Sequence, residues 1–171
     1  MDVKKKGLLD FRRMKEEGQK VTWLTAYDYP TACFEEQAGI DMILVGDSAA
    51  QFVLGFASTL PAGMDIMVAL TAAVRRGAPD VYLVADMPFL SYHTGVAEAI
   101  RNAGRFLIEA DAQMVKMEAT TAHLETIRAV SDAGIAVMAH IGIRPQRIGT
   151  VGRFRAEATH RADPLWADAD V

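Results

Sequence analysis

Polar side chains with catalytic potential lie at or just after the ends of four apolar runs in this sequence. The runs cover residues 42–46, 81–85, 114–117 and 135–139, and the polar residues are Asp47 with Ser48, Asp86, Lys116 with Glu118, and His140. Short apolar runs of this kind are typical of buried strands in parallel sheets. Because the carboxyl ends of parallel strands share one rim, where ligands bind, we expect these residues to form one site. The alternative is that they merely cap buried strands as the chain reaches solvent.

Three of these residues, Asp47, Asp86 and Glu118, are carboxylates that would stand at three different strand ends. Mg²⁺ prefers oxygen ligands of this kind, and it usually keeps several waters and a chelating substrate. A 2-oxo acid is such a substrate, since its carboxylate and keto oxygens can bind the same ion. A bound metal would act as a Lewis acid when the carbon next to the carbonyl loses a proton. The residues therefore predict metal-assisted chemistry on a small anion.

The other polar residues at these ends have more than one interpretation. Lys116 is two residues from Glu118, so both side chains lie on the same face of a strand. Lys116 could balance a substrate carboxylate or pair with one of the acids, and the two roles are compatible. Ser48 could donate to the same substrate carboxylate, and His140 could bind a substrate or serve a structural role. We expect the remaining histidines to lie on the surface; they are His93, His123 and His160.

Helical periodicity separates the predicted strands, and this alternation sets the fold class. Strands are predicted at residues 21–26, 42–46, 81–85, 114–117 and 135–139, and helices at 8–17, 28–38, 64–76, 96–110 and 122–133. Crossover helices make neighbouring strands parallel, as in an open doubly wound sheet or a TIM barrel. No Gly-x-Gly-x-x-Gly follows the first strand, which argues against a dinucleotide-binding sheet. The long loop 47–63 is expected to form part of the site or its lid.

Composition excludes several classes of protein. The chain has 171 residues, 51% of them hydrophobic, and a net charge of −4, so we expect neither nucleic acid nor an anionic membrane as a partner. The single cysteine, Cys33, is typical of a protein in the reducing cytoplasm. No apolar run approaches the ~20 residues of a membrane span, and the first residues do not resemble a secretory signal.

Seven segments carry a resemblance to a known family, and they occur in the family's order. They are residues 25–32 (TAYDYPTA), 45–48 (VGDS), 58–61 (STLP), 85–92 (ADMPFLSY), 101–104 (RNAG), 115–118 (VKME) and 140–146 (HIGIRPQ). Together they resemble ketopantoate hydroxymethyltransferase, also called 3-methyl-2-oxobutanoate hydroxymethyltransferase. The resemblance runs from about residue 5 to about residue 157.

The resemblance implies a (β/α)8 TIM barrel of the phosphoenolpyruvate-mutase type, Mg²⁺ and a homo-oligomer. The reaction it implies moves a hydroxymethyl group from 5,10-methylenetetrahydrofolate to 3-methyl-2-oxobutanoate, giving 2-dehydropantoate for pantothenate synthesis. At the matching positions, the resemblance implies that Asp47, Asp86 and Glu118 bind the metal and that Ser48 and Lys116, with the two aspartates, contact the substrate. His140 is a further candidate for substrate binding.

The sequence also departs from the family's pattern. Alanines replace family glycines at Ala50, Ala119 and Ala139, and a common histidine falls at about Leu70. The family takes its catalytic base, a glutamate, from a later strand, so we assign no catalytic base here. We expect residues 1–171 to form one partial barrel domain of about five βα units, with a divergent tail at 159–171. Two alternatives are another 2-oxo acid lyase or mutase of the superfamily and a catalytically silent, metal-binding barrel fragment.

Overall fold

The architecture is a single parallel sheet whose strands are connected by helices, seen in a computed structural model that describes residues 5–152. The strands run in sequence order, β1-β2-β3-β4-β5, and every neighbouring pair is parallel. They are β1 (Trp23–Thr25), β2 (Met42–Val45), β3 (Tyr82–Asp86), β4 (Met114–Glu118) and β5 (Ala136–His140). The strands observed are therefore those that the apolar runs predicted.

Seven α-helices lie in the described part of the chain. They are α1 (Leu8–Glu16), α2 (Tyr29–Gln37), α3 (Ala49–Phe52), α4 (Met64–Gly77), α5 (Val96–Ala110), α6 (Leu124–Asp132) and α7 (Ile148–Val151). Single 3₁₀ turns at Thr121–His123 and Pro145–Arg147 precede α6 and α7. Among residues 5–152, no helix is both long and apolar enough to cross a membrane.

Local chemistry accounts for where the helices begin. Asp28 accepts a hydrogen bond from the Thr31 backbone N–H at 2.8 Å and thereby caps α2, while Pro30 occupies the first turn, where its lack of an N–H costs nothing. The apolar residues of α5 repeat at helical spacing, and its Ala99, Ala103 and Phe106 are buried against the sheet. The helix α3, a single turn inside the predicted loop, was not predicted.

The two faces of the sheet contribute to two different hydrophobic clusters. Alternate residues such as Ile43, Leu83 and Val115 pack under the helices in the main core. The other face carries a smaller cluster of buried residues, Met42, Tyr82, Val84 and Met114, with Leu44, Ala136 and Met138 packed against it. Phe11 of α1 also packs on this cluster, and its ring meets that of Tyr82 edge-on with centroids 5.2 Å apart. Strand alternation places four polar residues on this same face, at or near the carboxyl ends of the strands: Asp86, Lys116, Glu118 and His140.

Both outer strands of the described sheet have one neighbour each. The three residues of β1 are all exposed, and Leu24 retains 48% of its surface. Most of β5 is only half-buried. Within residues 5–152, the sheet is therefore open at both edges, as expected for about five units of a barrel.

Candidate active site at the carboxyl ends of the strands

Three buried carboxylates mark the site. Asp47 lies two residues after the end of β2, separated from it by Gly46, while Asp86 and Glu118 are the last residues of β3 and β4. None of the three is more than 5% exposed. The structure thus brings together, at one rim, the acids that the sequence predicted as metal ligands.

Lys116 is engaged with Asp86. The two residues are register partners on β3 and β4, and Lys116 Nζ lies 2.7 Å from each Asp86 carboxylate oxygen. Asp86 Oδ2 also accepts a weaker hydrogen bond from the Asp47 backbone N–H at 3.4 Å. The ion-pair interpretation of Lys116 is therefore correct. A contact with a substrate carboxylate is compatible with it, because an ammonium group has three donors.

Gln146 joins the acids from a different part of the chain. Its Nε2 donates to Asp47 Oδ2 and to the Met87 carbonyl, both at 2.9 Å, and its backbone N–H donates to Glu118 Oε1 at 3.1 Å. Tyr92 completes the network, with its hydroxyl 2.9 Å from Gln146 Oε1. Gln146 belongs to the 140–146 motif, yet its role was not predicted, since no periodicity indicates where a residue six positions beyond a strand will lie.

Burial and mutual repulsion make the acids hard to ionise. Burial, followed by repulsion from Asp86, raises the pKa of Asp47 to about 6. Burial raises the pKa of Glu118 to about 7, although the backbone N–H of Gln146 opposes this effect. Burial also raises the pKa of Asp86, against the pull of Lys116. Three acids facing one lysine leave excess negative charge that a bound cation would offset.

The chemistry of these donors fits a divalent metal. Glu118 Oε2 is buried and has no hydrogen-bond partner among the described residues, which leaves an oxygen available for a ligand. Nevertheless, no three Asp, Glu, His or Cys side chains within residues 5–152 are arranged so that they could already hold a metal ion. Mg²⁺ requires only one or two carboxylates in addition to water and substrate oxygens. The convergence of all three acids on one ion remains a prediction.

Ser48 stands beside this cluster. Its hydroxyl lies 2.8 Å from the Tyr27 hydroxyl, a partner that the sequence analysis did not identify. Gly46 permits the arrangement, since a Cβ at that position would come within 2.8 Å of Ser48 Oγ. A substrate contact by Ser48 remains a prediction.

His140 ends β5 as the register partner of Glu118. Its Nδ1 is buried without a hydrogen-bond partner in residues 5–152, and burial, followed by the charge of Lys116, lowers its pKa. The imidazole is therefore neutral near pH 7, and either of its two predicted roles remains open.

An open cavity adjoins the acids through Gln146. It has a volume of about 390 Å³, and its lining includes Phe89, His93, Thr120, His123 and Arg147. His123, predicted to lie on the surface, is half-buried there, and its ring packs edge-on against His93 at 5.3 Å. His93 is exposed but stacks on Tyr92 at 4.1 Å, and His160 lies outside the described residues.

Comparison with known proteins shows to which family this chain belongs. The sequence pattern of ketopantoate hydroxymethyltransferase matches residues 5–171. The chain belongs to the ketopantoate hydroxymethyltransferase family. The 3-methyl-2-oxobutanoate hydroxymethyltransferase of Alkaliphilus metalliredigens (strain QYMF) is 49% identical over 155 residues, which are 91% of this chain and 55% of that protein. The enzyme of Listeria monocytogenes serotype 4a (strain HCC23) is 47% identical over 94% of this chain and 59% of that protein.

The family match confirms the predicted resemblance, and its extent adds two facts. The chain spans somewhat more than half the length of the curated relatives that it matches, 55% and 59% in the two cases above. The match also includes residues 159–171, the segment predicted to diverge, whose structure lies outside the described residues.

Solved structures confirm the predicted fold class. Phosphoenolpyruvate phosphomutase from Streptomyces platensis subsp. rosaceus superposes with a TM-score of 0.64 at 16% identity, over 78% of this chain and 53% of that chain. Phosphonopyruvate hydrolase, solved with oxalate and Mg²⁺, gives a TM-score of 0.62 at 16% identity, over 75% and 50% of the two chains. The described part of this chain therefore shares the fold of these phosphoenolpyruvate-mutase-type proteins over five βα units.

Proposed function

We propose that this protein is a 3-methyl-2-oxobutanoate hydroxymethyltransferase. It would transfer a hydroxymethyl group from 5,10-methylenetetrahydrofolate to 3-methyl-2-oxobutanoate and form 2-dehydropantoate for pantothenate synthesis. The observation that carries the proposal is the group of three buried acids, Asp47, Asp86 and Glu118, at three adjacent strand ends, with Lys116 paired to Asp86, in a chain of this family.

Asp47, Asp86 and Glu118 would hold Mg²⁺ in this site. When bound, the metal would polarise the 2-oxo group as a Lewis acid. Support comes from the raised carboxyl pKa values and from the unpartnered Glu118 Oε2, both of which a cation would relieve.

The substrate carboxylate would be bound by Lys116 and Ser48. Lys116 is held in place by Asp86 and retains donor capacity, and the Ser48 hydroxyl is oriented by Tyr27. His140, which is neutral near pH 7, would hydrogen-bond the substrate from β5. These roles concern binding and orientation, and no catalytic base is assigned among residues 5–152.

The folate co-substrate would enter through the cavity beside Gln146. Rings of Phe89, His93 and His123 line it and could stack on a planar heterocycle, while Arg147 offers a cation to an anionic group. The cavity touches the same Gln146 that contacts the acids, so a one-carbon donor there would be close to the bound 2-oxo acid.

The chain would act as a homo-oligomer in the cytoplasm. Trp23 and Leu24 on the edge strand β1 are exposed and apolar, which favours a protein partner at that edge. Cys33 is a free thiol, as is usual in a reducing compartment.

An activity assay tests the proposal. The 171-residue chain is incubated with 3-methyl-2-oxobutanoate, 5,10-methylenetetrahydrofolate and Mg²⁺, and 2-dehydropantoate is followed by NMR. We expect product that disappears on chelation and in Asp86→Asn, while substitution of the exposed Asp132 by Asn leaves it unchanged. Cleavage of the 2-oxo acid without folate would indicate a lyase of the same superfamily. Binding of the 2-oxo acid without any product would indicate a silent fragment.

A further inference from the structure

We propose that Gln146 is a positioning residue that orients Asp47 and Glu118 for the cation. This inference rests on the proposed function, because it concerns the metal site of that reaction. Gln146 would not bind the 2-oxo acid itself; it would act through the two carboxylates that it holds.

A carboxamide is suited to this position because it carries two donors and an acceptor on one rigid plane. Both Nε2 contacts are with oxygen acceptors, Asp47 Oδ2 and the Met87 carbonyl, while Oε1 faces the Tyr92 hydroxyl. The reverse orientation of the amide would turn its oxygen toward a carboxylate and a carbonyl. The partners of Gln146 therefore fix a single orientation.

One residue thereby holds one oxygen of each of two acids. The side chain fixes Asp47 Oδ2 after β2, and the backbone N–H fixes Glu118 Oε1 at the end of β4. Glu118 Oε2 is left buried without a partner among the described residues. Gln146 itself is 4% exposed, so water does not compete for these hydrogen bonds.

Gln113 provides a matched control for a purely structural role. It is also a glutamine whose side chain bridges β3 and β4, with Oε1 accepting from the Leu83 backbone N–H at 2.7 Å and from Arg75 at 2.6 Å. However, it lies just before β4, at the amino ends of the strands and away from the acids. Loss of its hydrogen bonds should reduce stability without altering a metal site.

The experiment measures Mn²⁺ binding by the EPR signal of free Mn²⁺, together with thermal unfolding, for the 171-residue chain and three variants. We expect Gln146→Met, which removes the side-chain hydrogen bond to Asp47 and keeps the backbone donor to Glu118, to weaken Mn²⁺ binding by roughly 10- to 100-fold, the range typical of residues that orient metal ligands. Gln113→Met should lower the melting temperature and keep Mn²⁺ affinity within about twofold of the wild-type chain, since it touches none of the acids. Tyr92→Phe, which keeps the core filled, should weaken binding by roughly 2- to 10-fold through loss of the hydroxyl that contacts Gln146 Oε1 at 2.9 Å and the Glu118 carbonyl at 3.2 Å.

Each outcome has a distinct meaning. Wild-type affinity in Gln146→Met, or an equal loss in Gln113→Met, would overturn the role of Gln146 and leave the proposed metal site intact. If Gln146→Met does not fold, wild-type affinity in Tyr92→Phe would overturn it instead. No Mn²⁺ binding by the wild-type chain would overturn the metal site itself and this inference with it.

Discussion

At the scale of single residues, the site is a set of acids that the fold buries and only partly neutralises. Asp86 has Lys116 at 2.7 Å, whereas Asp47 and Glu118 have neutral donors from Gln146. Sequence position predicted all four charged residues, because strand alternation and the common rim are general rules. It did not predict Gln146, Tyr92 or Tyr27, since their positions depend on how loops and helices return to the rim.

Substitution of Lys116 by Met separates its two roles. If Lys116 binds the substrate carboxylate, the variant should weaken 2-oxo acid binding by roughly 1.5–3 kcal/mol, the value of a charge-assisted hydrogen bond. Calorimetric titration with 3-methyl-2-oxobutanoate measures this, with Mg²⁺ affinity measured in parallel and the exposed Lys20→Met as control. Equal losses of metal and substrate affinity would indicate that Lys116 serves only as the partner of Asp86.

Glu118 should make stability depend on pH in a predictable direction. Its pKa in the folded chain is about 7, above the ordinary value of 4.5, so the neutral carboxyl is the favoured form on folding. The contribution of this shift to the free energy of unfolding is complete below about pH 4.5 and is lost as the pH rises through about 7. We therefore expect metal-free Glu118→Gln to gain stability relative to the wild-type chain between pH 5 and 8.

Urea unfolding of both proteins across that range measures the difference, in which the titration of groups that do not interact with Glu118 cancels. Added Mg²⁺ should reduce the difference at pH 8, because the metal stabilises only the ionised carboxylate. If the free energies of unfolding of the two proteins changed with pH in the same way, the raised pKa of Glu118 would be contradicted.

At the scale of elements, the strands and helices with a clear apolar run or helical periodicity were predicted well, and those with a weaker signal were not. Strands β2 to β5 and helices α4 and α5 follow from apolar runs and helical periodicity. Strand β1 covers only half of the predicted 21–26, since only Trp23, Leu24 and Thr25 are register partners of β2. Helix α3 has four residues, too few for a periodic signal.

Close packing of α2 on α4 predicts that replacement of Gly77 destabilises the fold. A Cβ on Gly77 would lie 2.4 Å from the Tyr29 backbone carbonyl oxygen and 2.9 Å from Ala32 Cβ. Backbone atoms cannot move aside cheaply, so Gly77→Ala should destabilise the fold by about 1–3 kcal/mol. Denaturant unfolding provides the measurement.

Gly104→Ala is the matched control for that substitution. It lies inside α5, and no atom of the described chain outside its own helix backbone comes within 4 Å of the added Cβ. The variant should therefore gain about 0.5–1 kcal/mol through helix propensity. Equal effects of the two substitutions would show that the α2–α4 contact is looser than described.

At the scale of the whole molecule, the described sheet has two open edges, and exposed parallel edges favour association. We expect the chain to be oligomeric through β1, where Leu24 is 48% exposed. Leu24→Lys should therefore reduce the mass measured by light scattering over a concentration series. Ile108→Lys, on α5 at 86% exposure, should leave it unchanged. A monomeric wild-type chain, or dissociation by Ile108→Lys alone, would contradict this prediction.

Calorimetric titration of 3-methyl-2-oxobutanoate into the 171-residue chain, with and without Mg²⁺, measures whether Asp47, Asp86 and Glu118 form a metal-dependent 2-oxo acid site at the rim of the sheet. We predict binding that requires Mg²⁺, that is abolished in Asp47→Ala and in Asp86→Ala, and that persists in Asp132→Ala. Binding that is independent of Mg²⁺, or unchanged in both rim variants, would contradict the account.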